Sequence, residues 1–308
     1  MKPPGLYAAF DVGSNTVRAL AAALEPDGTL CVEHQAGRMT ALGRGLSVTG
    51  RLQKETIADT ARFVRNFLAQ AGPLREVYCA GTAAAREAAN AAALQAALRR
   101  TGVELEVVTG EEEARLSYRG AVALTEVPPG ARPLVADLGG RSLELALRRG
   151  SGLQLVSLPL GARALTEDYL PSEIPYRAQI AAARRAVGVA LRGGEPLLQR
   201  ADMVVATGGT AFSAALLAGP SWNLSAWALQ QLRRRLCRLP LPRRREALSF
   251  DPERAEVICG GLLALEVLAE RAPQRRVTIS PGGLREGLLL ERTGARRVVF
   301  PEGAGIGE

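Results

Sequence analysis

Two short stretches decide the fold: Asp11-Val12-Gly13-Ser14-Asn15-Thr16 and Asp137-Leu138-Gly139-Gly140-Arg141-Ser142. Both have the form Asp-x-Gly-[Ser/Gly]-x-[Ser/Thr], and they stand 126 residues apart. Each follows a short apolar run, LYAAFD (6–11) or PLVAD (133–137), and each precedes another, 16–24 or 143–147. Apolar runs on either side of a glycine turn read as a β-hairpin. The chain therefore holds two hairpins of one design, each with an aspartate at the base of its turn.

Outward from the hairpins, strand and helix patterns alternate. Residues 51–71 carry apolar side chains at helical spacing, 77–81 read as a buried strand, 83–99 as an alanine-rich helix and 105–110 as a strand. Residues 111–124 read as a helix with three carboxylates in its first turn, where the helix dipole favours them. After VPPGARP (127–133) the pattern restarts: strands at 133–137, 143–147, 152–159 and 203–209, and helices at 175–192, 225–238 and 252–271. A last strand, glycine turn and helix occupy 277–291. This alternation predicts an α/β protein of two similar domains, 1–124 and 125–308.

Composition narrows the chemistry. The 308 residues include 37 arginines, two lysines and one histidine, with 39 basic against 31 acidic side chains. A lone histidine, His34, argues against multi-histidine metal sites and against any catalytic triad other than one built on His34 itself. The four cysteines are far apart, with no CxxC spacing, as expected for reduced thiols in a cytoplasmic protein. The amino-terminal stretch lacks the apolar core of a signal peptide, and glycines and Pro220 interrupt the uncharged run 203–232, so no membrane span is expected. Residues 1–124 carry a net charge of +1 and residues 125–308 a net charge of +7, which suggests an anionic partner. An arginine-biased surface would give the same balance. Seven arginines in 233–245 lack interleaved aromatics, so a specific nucleic-acid site is not expected. They read as a solvated helix and loop, or as a surface guiding a polyanion.

The hairpins suit phosphate. Backbone N–H groups at a glycine turn can converge on an anion, and an aspartate at the strand end can hold a hydrated Mg²⁺ against the same phosphate. The candidates are Gly13, Ser14 and Asn15 in the first tip and Gly139, Gly140, Arg141 and Ser142 in the second, with Asp11 and Asp137 as the carboxylates. Thr207-Gly208-Gly209-Thr210 is a third glycine turn, between a strand and a helix, where Gly208, Gly209 and Thr210 could contact phosphate. Alternatively, each of these is simply a tight turn.

With these residues in place, the sequence resembles the exopolyphosphatase / guanosine pentaphosphate phosphohydrolase (Ppx/GppA) family. The matching stretches are FDVGSNTVRAL (10–20), AGTAAAREAAN (80–90), TGEEEARLSYRGA (109–121), VADLGGRSLELAL (135–147), SLPLGARALTE (157–167), ATGGTAF (206–212) and GGLREGLLL (282–290). The resemblance implies an actin-like, sugar-kinase-like ATPase fold with two domains around a cleft. It also implies Mg²⁺-dependent release of terminal phosphate from inorganic polyphosphate or guanosine pentaphosphate. Glu113 falls on the family's catalytic glutamate, a general base for the attacking water. Asp137 and Glu144 fall on acidic residues around the metal, with Asp11 their counterpart in the first hairpin. Arg86 falls on an arginine aimed at phosphate. A homodimer is compatible with the resemblance.

Departures from the family pattern keep other readings open. The second hairpin reads Gly-Gly-Arg-Ser-Leu-Glu where the family has three glycines and then Ser-Thr-Glu, so Arg141 is expected either to strain the loop or to touch phosphate. The chain stops about twenty residues past Arg285-Glu286-Gly287, where the family's two core domains end. A non-catalytic sensor of polyphosphate or guanosine tetra- and pentaphosphate is one alternative. A kinase or nucleotidase of the same fold is another.

Overall fold

The computed structural model describes residues 1–150, 152–219 and 222–301. The chain forms two compact units, one of Met1–Leu124 together with residues 282–301, the other of Thr125–Pro281, and residues 302–308 of the expected second domain lie outside the described residues. The break after Leu124 falls where the sequence places it. Residues 282–301, expected in the second domain, fold instead with the first.

The first unit opens with β1 (Gly5–Val12), β2 (Thr16–Leu24), β3 (Thr29–Met39), β4 (Glu76–Gly81) and β5 (Glu106–Val107). The second contains β6 (Pro133–Leu138), β7 (Leu143–Arg149), β8 (Gly152–Leu158), β9 (Met203–Thr207), β10 (Asn223–Ser225) and β11 (Arg276–Ile279). The last strand, β12 (Arg297–Val299), returns to the first unit. The sheet orders are β12-β3-β2-β1-β4-β5 and β10-β11-β9-β6-β7-β8.

The two sheets share one plan. β1, β2 and β3 form an antiparallel meander, and β4 pairs parallel to β1 on its other side. β6, β7 and β8 repeat that meander, with β9 parallel to β6. The two Asp-x-Gly turns thus occupy the same place in the two sheets, the first hairpin of each meander.

β1 reads as a near-continuous apolar run because both of its faces are covered. Ala8, Phe10 and Val12 pack under the helices Lys54–Ala71 and Ala91–Arg99. Tyr7 and Ala9, on the opposite face, pack with Leu20, Leu116, Leu284 and Leu288. The helix Leu284–Thr293 therefore returns to the first unit to bury a face that residues 1–124 leave partly open. In the second unit the central helix is Ile258–Arg271, buried from Ile258 to Ala269. Sequence periodicity made residues 252–271 one amphipathic helix. A helix buried all round has no polar face, and the 3₁₀ turn Pro252–Glu256 precedes it.

Two other expected elements differ. Residues 83–99 form two helices, Ala83–Glu87 and Ala91–Arg99, because the Asn90 side chain accepts from Leu52 N–H (2.8 Å) and donates to Leu52 C=O (2.9 Å). This pins the intervening loop to a distant segment. The arginine-rich segment is not simply solvated: Arg233 and Arg244 are buried, and the Arg244 guanidinium donates to the carbonyls of Leu236, Leu239, Glu173 and Ala255. His34 lies exposed on β3.

Candidate active site

The two hairpin turns are closed by the same bond. Gly13 N–H donates to Thr16 C=O at 3.1 Å, and Gly139 N–H donates to Ser142 C=O at 3.0 Å. The carbonyl side of each turn is held by neighbouring backbone. Ser14 and Asn15 carbonyls accept from Gly43 and Ala41, and the Gly140 carbonyl accepts from Arg163 (2.7 Å) and Ala164 (3.1 Å) in the first turn of the helix Ala162–Tyr169. Gly161 is required there, because a Cβ would stand 2.3 Å from Arg141 N and from Gly140 C. Arg141 does not strain the loop. None of residues 139–142 has positive φ, so its backbone adopts a conformation open to any residue.

The register shows how the two hairpins differ. Asp11 stands opposite Arg18 across β1 and β2, whereas Asp137 stands opposite Glu144 across β6 and β7. Directly opposed residues bring their Cβ atoms within about 5 Å, and like charges there repel. The first hairpin pairs a carboxylate with a guanidinium, and the second sets two carboxylates together. Glu144 is 1 % exposed, and Ser157 on β8 donates its hydroxyl to Glu144 Oε1 at 2.9 Å. The Asp11 carboxylate lies near buried Cys79, whose thiol is pushed up by burial and further by that carboxylate.

On its other side Asp137 is level with Thr207 at the end of β9. Gly208 follows with φ +98°, and a Cβ there would lie 2.6 Å from Leu138 C=O and 3.2 Å from Asp137 Oδ1. The Gly208 turn therefore brings the start of the helix Gly209–Ala218 against the Asp137 carboxylate. Thr210 is buried, and its side chain packs on Gly261 of the central helix. What this position presents outward is backbone, not its hydroxyl.

In the first unit Glu113 and Arg86 meet. The helix Gly110–Ala123 starts at a capping box: Thr109 Oγ1 accepts from Glu112 N–H, and Glu112 Oε2 accepts from Thr109 N–H. The three adjacent glutamates thereby separate. Glu111 is exposed and Glu112 belongs to the cap. Glu113 is only 6 % exposed, with Oε2 accepting from Arg86 Nη1 at 3.2 Å. Arg86 Nη1 also donates to Val108 C=O at 2.8 Å, which leaves the Nε–H and Nη2–H groups outside both bonds. Arg86 lies in the last turn of the helix Ala83–Glu87, whose Ala84 N–H donates to the buried Ser14 hydroxyl at 3.1 Å. A continuous path thus runs from the first hairpin tip through that helix to the Arg86–Glu113 pair.

Sequence reasoning missed how the Glu113 helix is seated. It crosses the helix Leu284–Thr293 with backbones in contact. A Cβ on Gly120 would lie 1.9 Å from Gly283 C=O, and one on Gly287 would lie 1.9 Å from Leu116 C=O. Gly283 and Gly287, four apart on one side and matched by Gly120 on the other, were the available signal. Arg285 in the same stretch is a structural residue, donating to Ala19 C=O, to Gln35 and to buried Glu286.

The structure brings together Glu113, Arg86 and the first hairpin in one unit, and Asp137, Glu144, the second hairpin and the Gly208 turn in the other. Among the described residues no three His, Cys, Asp or Glu side chains cluster as a metal cage. The opposed Asp137 and Glu144 carboxylates are a pair that could hold a hard cation, with water and substrate oxygens completing its shell, the usual habit of Mg²⁺. No described helix is long and apolar enough to cross a membrane.

Two six-stranded sheets on one plan, with an Asp-x-Gly hairpin in each, define an actin-like ATPase fold. The Ppx/GppA phosphatase family model matches residues 25–295, and the chain belongs to that family. It is 32 % identical to Exopolyphosphatase 2 of Mycobacterium tuberculosis over 93 % of this chain and 98 % of that one. It is 30 % identical to Exopolyphosphatase 1 of Mycobacterium bovis over 92 % and 87 %. Among solved structures, the Aquifex aeolicus member of the Ppx/GppA family superposes with a TM-score of 0.75 at 27 % identity, covering 94 % of this chain and 98 % of that one.

Proposed function

We propose that the protein is an exopolyphosphatase, removing terminal phosphate from inorganic polyphosphate by attack of water. The observation that carries this reading is the buried Glu113 carboxylate beside the Arg86 guanidinium, joined to a phosphate-type hairpin. Both mycobacterial relatives are named exopolyphosphatases, which supports the same substrate class.

In this reading Glu113 orients the water and takes its proton as the oxygen–phosphorus bond forms. The terminal P–O–P bond breaks, and the shortened chain leaves as the anion. The two unused edges of Arg86 face charge gathering on the equatorial oxygens, where a planar fork is worth most. Asp137 and Glu144 would hold Mg²⁺, which would neutralise phosphate charge when bound. Glycine backbone at residues 139–140 and 208–209 lets the phosphate chain approach closely. Guanosine pentaphosphate, which presents the same terminal phosphoanhydride, is proposed as a second substrate, and the cytoplasm as the site of action.

The test compares long-chain polyphosphate, tripolyphosphate and guanosine pentaphosphate side by side, with Mg²⁺ and with a chelator. The expected result is phosphate release from chain ends without internal cleavage, lost on chelation. Binding of polyphosphate without turnover under any divalent metal would favour the sensor instead.

A further inference from the structure

A groove lined by arginines lies wholly within the Thr125–Pro281 unit, away from its hairpin. The helices Arg177–Ala190 and Ala226–Cys237 flank a concave groove of about 710 Å³. Arg177, Arg184, Arg233, Arg234 and Arg238 line it, and no acidic residue does. Ile174, Pro175 and Ile180 supply an apolar wall.

The five arginines do different work. Glu266, fully buried on the central helix, accepts from Arg184 at 2.8 Å and from Arg233 at 2.5 Å, and Arg184 also pairs with Glu270. These two arginines are fixed, and two carboxylates balance them. Arg177, Arg234 and Arg238 are exposed and have no carboxylate partner among the described residues. Arg234, in the last turn of the helix Ala226–Cys237, and Arg238, which caps its C-terminus, stand four apart in sequence, and like charges so placed repel. About three uncompensated charges thus converge on one cavity, beside a low-dielectric wall that strengthens their field. The cavity is of small-ligand size.

We infer that this groove binds a small condensed-phosphate anion, a di- or triphosphate group, outside the hydrolytic site. Guanidinium forks match phosphate oxygens in geometry, and an anion of three or four charges would relieve the Arg234–Arg238 repulsion. The group could be inorganic or carried on a nucleoside, and the apolar wall gives a base or ribose somewhere to lie.

The test is ligand protection from an arginine-directed dicarbonyl reagent, read residue by residue by mass spectrometry in chelator. Saturating tripolyphosphate or ATP should slow modification of Arg177, Arg234 and Arg238 by roughly ten-fold. The exposed Arg192 and Arg200 should be unaffected. Protection by tripolyphosphate alone assigns an inorganic occupant, and protection by ATP alone a nucleotide. In R234E/R238E the protection of Arg177 should vanish while phosphate release from polyphosphate persists. Slowing no greater than at Arg192 and Arg200, or equal slowing by sulfate at matched ionic strength, would overturn the proposal. Hydrolysis is assayed separately, so either reading can fail alone.

Discussion

Glu111, Glu112 and Glu113 are neighbours in sequence and have three different jobs. A helix turns about 100° per residue, so three consecutive side chains cannot face the same surroundings. Replacing each by alanine should therefore give three outcomes. Glu111→Ala should leave turnover unchanged and lower stability only by the dipole contribution of an exposed first-turn carboxylate, about 0.3 kcal/mol. Glu112→Ala removes half of a capping box and should cost about 1 kcal/mol of stability with turnover largely kept. The third position is the one whose loss should abolish activity. Arg86 belongs with it: Arg86→Ala should lower kcat by roughly 10²–10³-fold if the fork stabilises transition-state charge. Initial-rate phosphate release beside a thermal melt separates these cases. The carboxylate run was legible as a helix start. Which of the three faced inward was not legible from composition, since the answer depends on Arg86, 27 positions earlier.

Elements, more than single residues, decide whether that pair is correctly placed. The Glu113 helix rests backbone to backbone on Leu284–Thr293 at Gly120 and Gly287. Gly287→Ala forces the helices apart and should cost about 1–3 kcal/mol. Because it also shifts the helix carrying Glu113, kcat should fall more than KM rises, which steady-state kinetics would show. A second element-scale test concerns β6 and β9. Arg132, just before β6, binds Asp202, just before β9, through its backbone N–H and two guanidinium nitrogens, and Asp202 N–H returns to Arg132 C=O. The side-chain hydrogen bonds from Arg132 pull the Asp202 carboxyl down to about 2. A depressed carboxyl stabilises the fold above its unfolded value and loses that contribution as pH falls through the folded value. Urea midpoints of the protein and Asp202→Asn should therefore differ at pH 7 and converge as pH drops from about 4 to about 2. Convergence above pH 5 would contradict the assignment. Both hairpins were readable because glycine turns between apolar runs are local signals. β3, β10 and β12 were not, because they are short or mixed in polarity and exist only by pairing to strands that are already present.

At the scale of the whole molecule, the chain leaves its first unit at Leu124 and returns to it at Gly282. The restart after 127–133 made one boundary visible. The return was hidden, because only the uncovered face of β1 and β2 calls for the apolar side chains at 284–290. A fragment of residues 1–124 should accordingly fail to fold cooperatively, whereas 1–124 joined by a flexible linker to 282–301 should melt cooperatively by circular dichroism. The reassignment leaves the charge asymmetry intact, since residues 125–281 carry 21 basic and 14 acidic side chains. That excess lies in the unit with the opposed Asp137–Glu144 pair and the arginine groove. Water attack assisted by Glu113 is the central step of the proposed hydrolysis, so the decisive measurement is phosphate release from long-chain polyphosphate by Glu113→Gln. The isosteric amide still accepts from Arg86 but cannot take a proton. A fall of roughly 10²–10⁴-fold with an unchanged melt is the predicted result, and turnover at the unaltered protein's rate would contradict it.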